Sequence, residues 1–583
     1  MKNNKQKKLK IGLIVDSTTV SKYVYELAEW ANSEENIEVS HLIIQKILKP
    51  NQSAGILSKS IRYIKNKGLG SFLEAIFWRF IIEVEKRKLK KNSLYADHLH
   101  QRTLPRHLDE IIVTPDISKS GFVYRYKIED IEKIRSKNID LLIRCGSGIL
   151  LGEILSVCSF GVISFHHGDN KVNRGGPAGF WEVFYKESKT GFIIQRLNDE
   201  LDGGDVLFRG YFPTLNYFIL NQANLYTRSN YYLKELIKSL ALSNKLPEPE
   251  PSLPYSHQLY RVPSIAIQLK YLFQLVYSAI LSKAKYKIFR FRGRWAIAFQ
   301  RRNWRNLVMW KSTKVANPPG RFLADPFIIS KKGVDYCFVE DYDFSTQRGC
   351  ISVVKLGDFG AQSVERVIVE PFHMSFPFIF EYQNNLLMVP ETSEKRDIRV
   401  YECVSFPHQW KLKAVLMSGV SAADSMIFHK DGLWWLFTNI DPLGGSDHRS
   451  ELSIFYSLNP IGNAWTAHPM NPIYIDPSKA RNGGILFDGK QIFRVAQRQG
   501  FNQYGAESAI YQIDNLDTEH YSESLLTEIK PNFFNADGTH HLHSNEAITV
   551  FDYLVHDSSV PTFFIGERAA EAQIQKTCQG RAL

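Results

Sequence analysis

The C-terminal half of the chain contains an internal repeat, and this repeat limits the fold more than any other feature of the sequence. Four segments share one form: a small or acidic opening, a short apolar strand, a turn, and a second apolar strand that ends in a polar residue. Their equivalent apolar residues, at intervals of 51, 48 and 59, are Ile328, Ile379, Ile427 and Leu486. Multi-strand repeats of about 40–50 residues are typical of β-propeller blades. With a fifth unit at 539–553, the pattern predicts an all-β, five-bladed propeller over 291–566.

The first part of the chain alternates strand-like and helix-like segments instead. Residues 10–45 read as a buried strand, a helix with apolar side chains at helical spacing, and a second strand. The alternation predicts a mostly parallel sheet with crossover helices, that is, a Rossmann-like α/β domain over 1–215 with a basic helical insertion at about 50–110. Such sheets bind ligands beyond the carboxyl ends of their strands. Residues 146–148 and His166 fall at such ends.

The remaining regions carry neither pattern. Residues 216–290 are expected to form a helical linker, with a proline-rich stretch at 247–254 near its middle. Residues 567–583 have no core pattern and are expected to form a tail. Because 583 residues suffice for several domains, we expect a multidomain protein.

Charge and cysteine content bear on location and partners. The net charge is +12, and several basic clusters fall in the first hundred residues. Such a surface suits phosphate-bearing substrates or an anionic membrane face, although solvated lysine-rich helices give the same pattern. Six cysteines without paired spacing favour a reducing cytoplasm and no bound metal. We expect no nucleic-acid partner, and the sequence indicates no oligomeric state.

Two segments are nearly as apolar as a membrane-associated helix. They are residues 72–82 and 265–281, and each is interrupted by charged residues. Neither reaches the roughly 18 uncharged apolar residues of a transmembrane helix. Either they pack within the protein, or they are amphipathic helices that bring it to the inner membrane face.

Between residues 161 and 207 several short motifs follow one another in a fixed order. They are Ser164-Phe165-His166, Arg174-Gly175, Thr190-Gly191 and Leu201-Asp202-Gly203-Gly204. The region resembles the catalytic half of the folate-dependent formyltransferases. Residues 175–181 are most similar to the sugar N-formyltransferases within that family. The family asparagine of the first motif is replaced here by Ser164.

The resemblance implies an enzyme that uses 10-formyltetrahydrofolate as co-substrate. Formyl transfer to an amine passes through an oxyanion, so the site needs hydrogen-bond donors and a base. By position, His166 is the donor and acid–base group, and Asp202 is its partner. Ser164 has a shorter reach than an amide, and losing one oxyanion donor costs about 100- to 1000-fold in rate.

The resemblance also implies a folate pocket and a substrate loop. The folate pocket would be lined by Gly146, Ser147, Gly148 and Ile149. In the substrate loop, Arg174 with Gly175 either pins the loop or contacts a substrate phosphate.

The repeat region resembles a second family. Its elements FLADPF, FHMSFPFIFE, VPETS, WWLF and HPMNPI are similar to the N-terminal domain of plant glucosamine inositolphosphorylceramide transferases. That domain is similar in layout to the five-bladed propellers of glycoside hydrolase family 43. The resemblance implies that Asp325 is a candidate base and that Asp424 tunes the pKa of an acid.

The residue at the position of the hydrolase acid is not a carboxylate. Arg481 stands there, and Glu340 and Glu391, which end inner-strand pairs, are the candidates to replace the acid. An inverting hydrolase needs both an acid and a base, so sugar recognition is favoured over hydrolysis. The spacing of the histidines at 540, 541 and 543 is a weak metal signal.

Three functions remain open at this point. The first is formyl transfer to the amine of a nucleotide- or lipid-linked aminosugar in surface glycan or glycolipid biosynthesis, with the propeller binding the glycan. The second places catalysis in the propeller, as a glycosidase or glycosyltransferase, with an inactive formyltransferase domain. The third is a non-enzymatic carbohydrate-binding module.

Overall fold

The computed structural model describes residues 8–47, 56–105, 107–200, 204–287, 292–445 and 447–557. The chain divides into two compact units. Unit 1 comprises the residues up to 210 together with 214–275, and unit 2 comprises 211–213 and the residues from 276 onward. The expected tail at 567–583 lies outside the described residues.

Unit 1 is built on a seven-stranded sheet with helices around it. The strands of this region are β1 Leu9–Val15, β2 Thr19–Ser21, β3 Ile37–Gln45, β4 Gln101–Thr103, β5 Asp109–Val113, β6 Asp116–Ile117, β7 Val123–Arg125, β8 Leu141–Arg144, β9 Ile149–Leu150, β10 Val162–His166, β11 Arg174–Gly175, β12 Lys189–Arg196, β13 Asp205–Pro213 and β14 Leu259–Tyr260. The helices are α1 Lys22–Ser33, α2 Ile56–Leu89, α3 Ser93–Ala96, α4 Ile128–Arg135, α5 Phe180–Tyr185, α6 Phe218–Ser243 and α7 Ile265–Lys287.

The sheet has the mixed topology that positions a site at one edge. Its strand order is β13-β12-β10-β8-β1-β3-β5. The pairs of β1 with β3 and β8, of β3 with β5 and of β8 with β10 are parallel, whereas β12 runs antiparallel to β10. These parallel pairs confirm the mostly parallel sheet that the alternation of strand-like and helix-like segments predicts. The carboxyl ends of β8 and β10 therefore lie side by side.

Helices α2 and α6, which the sequence places in the insertion and in the linker, pack with the α/β core. Helix α6, placed by the sequence in the linker, lies against β12, α1 and α2. Glu85 of α2 is buried, and its carboxylate accepts the N–H groups of Phe218 at 3.2 Å and Ile219 at 2.9 Å. These N–H groups belong to the first turn of α6 and have no partner within the helix. The insertion thus supplies the cap of α6.

Unit 2 is β-rich. Its strands are β15 Arg292–Gln300, β16 Thr313–Lys314, β17 Arg321–Lys331, β18 Val334–Asp343, β19 Arg348–Gly357, β20 Gly360–Ile368, β21 Ser375–Tyr382, β22 Asn385–Glu391, β23 Asp397–Ser405, β24 Gln409–Ser418, β25 Ala422–Lys430, β26 Leu433–Ile440, β27 Glu451–Ser457, β28 Thr466–Ala467, β29 Tyr474–Ile475, β30 Asn482–Asp488, β31 Gln491–Gly500, β32 Gln503–Leu516, β33 Tyr521–Ile529, β34 Leu542–Ser544 and β35 Thr549–Asp557.

These strands form a propeller-like arrangement of antiparallel sheets. Four sheets are β17–β20, β21–β24, β25–β28 with β29, and β30–β33, and a further sheet has the order β16-β15-β35-β34. Each sequence repeat forms the first hairpin of one of the four sheets, as predicted. The first strands β17, β21, β25, β30 and β34 lie against one another in that order, and β34 lies against β17. Strand β15, early in the unit, pairs along its length with β35.

Candidate functional site

In unit 1, Arg144 and Ser164 lie opposite each other at the carboxyl ends of β8 and β10. Ser164 is 1% exposed. Its hydroxyl accepts a hydrogen bond from Arg144 Nη1 at 3.2 Å and donates one to the carbonyl of Phe165 at 3.2 Å. Arg144 Nε donates to the carbonyl of Gly148 at 2.8 Å. The guanidinium thus joins the serine to the loop after β8.

His166 lies two residues beyond Ser164 and therefore on the same face of β10. Its Nε2–H donates to the carbonyl of Asn173 at 2.9 Å, because a carbonyl oxygen can only accept. His167 faces the other side, with ring centroids 4.8 Å from Phe165 and 4.0 Å from Tyr226. Burial lowers the pKa of His167 to about 3. His167 is therefore a neutral packing residue, and His166 is the histidine that faces the site with Ser164.

The predicted partner of His166, Asp202, lies outside the described residues, as do Leu201 and Gly203. The substrate loop is described. Arg174 holds its guanidinium 4.3 Å above the Tyr255 ring and donates through Nε to the carbonyl of Asn170 at 3.0 Å. Gly175 pairs with Tyr260 of β14. These contacts favour the interpretation that Arg174 fixes the conformation of the loop.

The loop at 146–149 is fixed by its neighbours. The N–H of Ser147 donates to Asp16 at 3.1 Å, and the carbonyl of Ser147 accepts from Gln45 at 3.1 Å. Gly148 has a φ of 83°, and a Cβ there would lie 2.4 Å from the Tyr124 ring. Internal packing alone therefore requires this glycine. The N–H of Ile149 also bonds within the protein, to the carbonyl of Phe122 at 2.7 Å.

A cavity of about 210 Å3 lies beside the substrate loop. Its lining includes Asn170, Lys171, Arg174, Arg209, Glu250 and Tyr255. Glu250 binds Lys171 at 3.1 Å and Arg209 at 3.0 Å. The cavity therefore combines cations, a carboxylate and an aromatic ring, which is a lining that suits a polar substrate.

In unit 2, a β-bulge recurs at the start of the first strand in three successive sheets. The bulged residues are Asp325, Phe376 and Asp424, with φ values of 50°, 46° and 47°. A non-glycine residue held at positive φ costs about 1–3 kcal/mol and persists only where the surroundings impose it. Bulges redirect side chains and are frequent beside functional sites. The two aspartates occupy the positions that the sequence selected.

The second strand of each sheet adds a residue opposite the bulge. Glu340 pairs with Ala324 and Glu391 pairs with Ser375, each directly before a bulge. Burial, together with Asp325 and Glu391, raises the pKa of Glu340 well above its usual range. Its surroundings therefore favour the neutral form of the Glu340 carboxyl.

Arg481 is the counter-ion of this group. Its Nε lies 2.6 Å and its Nη2 3.2 Å from the carboxylate of Asp424, and Nη2 lies 3.5 Å from Glu391. The guanidinium also lies 5.0 Å from the centre of the Tyr504 ring. Burial, which outweighs the contact with Arg481, raises the pKa of Asp424 to about 7. The site residues predicted in the repeats are thus brought together with a buried cation.

His540 completes the group. Its Nε2 lies 3.1 Å from Asp325, and its Nδ1 lies 3.0 Å from Asp552. Burial alone would lower the pKa of His540, but Asp552 and Asp325 raise it to about 10. Ligand atoms of these three residues lie within 4.8 Å of one another, as in a metal site. The two carboxylates that favour the charged ring of His540 are thus also the groups that could join it in holding a cation.

The sequence pattern did not indicate Asp552 as a member of this group. Asp552 lies in β35, within the apolar stretch 548–553, and an aspartate in such a stretch was the available signal. It accepts the N–H groups of His540 and His541, each at 3.0 Å.

The fold and the two sites define a multidomain protein in which an α/β unit precedes a β-rich, propeller-like unit. Residues 304–547 match the family described as "Glucosamine inositolphosphorylceramide transferase 1, N-terminal". Over 211 residues the chain is 36% identical to glucosamine inositolphosphorylceramide transferase 1 of Oryza sativa subsp. japonica, which covers 35% of this chain and 28% of that protein. The chain thus spans less than a third of the length of this relative.

Two further similarities are more distant. The chain is 25% identical over 214 residues to methionyl-tRNA formyltransferase of Bacillus subtilis strain 168, which covers 35% of this chain and 63% of that protein. The solved catalytic domain of the GH62 α-L-arabinofuranosidase of Coprinopsis cinerea aligns with 40% of this chain and 90% of its own, at 10% identity and a TM-score of 0.31. Within the described residues, no helix is sufficiently long and apolar to cross a membrane.

Proposed function

We propose that unit 1 is a formyltransferase that transfers the formyl group of 10-formyltetrahydrofolate to the amine of a nucleotide- or lipid-linked aminosugar. Unit 2, as a closed five-bladed propeller, binds the glycan. The observation that carries the proposal is the placement of Ser164, His166 and Arg144 at the adjoining carboxyl ends of β8 and β10. Ligands of parallel sheets bind at this edge.

Two side chains at this edge suit chemistry at a formyl group, since Arg144 carries N–H donors and His166 has a titratable ring. When bound, 10-formyltetrahydrofolate supplies a carbonyl carbon that an amine can attack. The loop at 146–149 would hold the ring system beside β8. His166 would take the proton of the attacking amine.

Two observations support a sugar acceptor. The cavity beside the substrate loop has charged and aromatic walls, including Lys171 and Tyr255. The relative that matches at 36% identity names glucosamine, an aminosugar, and a phosphorylceramide lipid. Both agree with an aminosugar carried on a phosphate-bearing group.

The test is a mass-spectrometric assay with 10-formyltetrahydrofolate and a panel of nucleotide-linked aminosugars. We expect one acceptor to gain the mass of a formyl group with the wild-type protein and with His100→Ala, which alters an exposed histidine of the same unit. His166→Ala should lose the product. No product from any acceptor would contradict the proposal.

A second candidate function is favoured by one specific observation in unit 2. Glu340, whose pKa is raised by burial and by Asp325, lies near that aspartate, which is ion-paired with His540. An acid and a base at one site are what glycosidic-bond chemistry requires. If unit 2 is catalytic, Asp325→Asn would abolish turnover of a glycoside or sugar-nucleotide panel, whereas Asp358→Asn, at an exposed position, would not.

We also propose that the protein is cytoplasmic and contacts an anionic membrane through α2. Its exposed apolar side chains Leu69, Leu73, Ile76 and Phe80, each between 46% and 58% exposed, follow one another at helical spacing. Lys86, Arg87 and Lys88 form the last turn of the same helix. An apolar stripe beside basic residues suits the surface of an anionic bilayer.

A further inference from the structure

The hydroxyl of Ser164 is already engaged within the protein. It donates to the carbonyl of Phe165 and accepts from Arg144. A serine hydroxyl has a single hydrogen to donate. In this arrangement Ser164 therefore cannot also donate to a substrate oxygen, so it does not replace the amide of the asparagine that formyltransferases carry at this position.

Arg144 has donor capacity that Ser164 lacks. A guanidinium carries five N–H donors in a planar fork. Two of its nitrogens bond to Gly148 and Ser164, and Arg144 forms no ion pair with any residue that the structure describes. The nearby carboxylate of Asp16 accepts instead from Ser147 and from Gln45.

The position of this cation is unusual for a structural arginine. Burial lowers the pKa of Arg144, and Asp16 acts on it only from a distance beyond a direct ion pair. A partly buried charge that lacks a direct ion pair is costly unless a ligand provides one. Arg144 ends a parallel strand at the edge where ligands bind. Its neighbour across the register, Ser164, is two residues from His166. The charge is therefore available to a group bound beside His166.

We propose that Arg144 supplies the oxyanion donor of the transfer reaction and that Ser164 is the positioning residue for its guanidinium. This inference rests on the proposed function of unit 1. The aminosugar nitrogen forms a bond to the formyl carbon, and the carbonyl electron pair moves onto the oxygen beside Arg144. The amine proton passes to His166. The bond between the formyl carbon and the folate nitrogen then breaks as the carbonyl re-forms, and that nitrogen takes the proton.

Steady-state kinetics separates this role from a structural one. Arg144→Met should lower kcat by about 100- to 1000-fold, as loss of one oxyanion donor does, and should leave the KM for the aminosugar unchanged. Arg144→Lys keeps the positive charge but loses the planar fork of donors. Its kcat should therefore lie between those of the wild type and Arg144→Met. Arg135→Met, at an exposed position, is the matched control and should leave kcat unchanged. Thermal unfolding of each variant shows whether the fold is retained.

A double-mutant cycle tests the pairing with Ser164. Ser164→Asn restores a donor amide, so adding Arg144→Met to it should cost clearly less than adding it to the wild type. Ser164→Ala should lower kcat by about tenfold, the value of one net hydrogen bond. If Arg144→Met lowers kcat equally in the wild type and in Ser164→Asn, the assignment of Ser164 as the positioning residue would be overturned.

A binding measurement keeps this inference separable from the proposed function. The probes are 10-formyl-5,8-dideazafolate, which retains the formyl oxygen, and 5,8-dideazafolate, which lacks it. We expect Arg144→Met to weaken binding of the first by at least about tenfold, the loss of one charge-assisted hydrogen bond, and to leave the second unchanged. Arg144-dependent binding in a protein that transfers nothing would support the inference and contradict the function.

The other outcomes are equally distinct. Transfer by the wild type that Arg144→Met leaves intact would overturn the inference and preserve the function. A wild-type protein that binds both probes equally, or neither, would overturn the role of Arg144.

Discussion

Asp325 and His540 form a buried ion pair, with 3.1 Å between Oδ1 and Nε2. Asp325 belongs to the first repeat of unit 2, whereas His540 comes from the end of the unit, more than two hundred residues later in the chain. The pair thus joins the beginning and the end of the repeat region. Asp552 lies 3.0 Å from the other ring nitrogen, and the two carboxylates together favour the charged form of the histidine.

The stability of unit 2 should decrease in alkaline solution. The pKa of His540 is raised from 6.5 to about 10 in the folded state. A raised folded-state pKa contributes stability that is complete below the unfolded value and is lost as the pH rises through the folded one. Urea unfolding followed by circular dichroism should therefore give a free energy that falls between about pH 6.5 and pH 10.

Asp552→Asn should destabilise unit 2 and flatten this pH dependence. Removing one member of a buried ion pair costs about 3–5 kcal/mol, because the partner charge is left without compensation. Asp488→Asn removes an exposed partner of Arg305 and should cost less than about 1 kcal/mol. Equal free energies of unfolding for the two variants would show that the histidine is not held as an ion.

Gly148→Ala should destabilise unit 1 more than Gly121→Ala. Both glycines have positive φ, at 83° and 80°. A Cβ at Gly148 would lie 2.4 Å from the Tyr124 ring, whereas a Cβ at Gly121 would meet nothing within 4 Å. The second variant measures the backbone cost alone, about 1 kcal/mol. The difference in free energy of unfolding between the two variants therefore measures the steric overlap of the Gly148→Ala methyl group with the Tyr124 ring. Equal values would mean that the loop can move away from Tyr124.

Vesicle binding should depend on the apolar stripe of α2. We expect sedimentation with vesicles that contain phosphatidylserine, and less binding as salt is added, since basic residues contribute. Phe80→Asp should abolish binding, and Phe359→Asp, at an exposed position in unit 2, should not. A wild-type protein that stays in solution at low salt, or that forms dimers through α2 instead, would exclude the membrane contact.

The sequence predicts the parts of this structure that depend on local pattern. Alternating segments indicate the parallel sheet, and the spacing of Ile328, Ile379 and Ile427 indicates equivalent hairpins. The bulges that open these hairpins fall three residues before the repeat positions, at Asp325, Phe376 and Asp424. One repeated backbone geometry therefore explains why the two selected aspartates occupy equivalent places.

Contacts between distant segments could not be read from the chain. Helix α6 looks like a linker because its amphipathic pattern does not indicate what it packs on, yet Glu85 caps it from an insertion. Asp552 is one polar residue in an apolar strand, and its role depends on a histidine from the segment that precedes β34. Arg144 was passed over for a similar reason, because only the strand register places it beside Ser164.

We propose that formyl transfer takes place at the edge formed by β8 and β10. The most direct test follows an isotope-labelled formyl carbon by NMR from 10-formyltetrahydrofolate into a nucleotide-linked aminosugar, with wild type, His166→Ala and Arg144→Met side by side. We expect a labelled formamide on the sugar with the wild type. Both variants should remain folded and form no labelled formamide. Label that stays on the folate, or that reaches the sugar equally in all three, would contradict it.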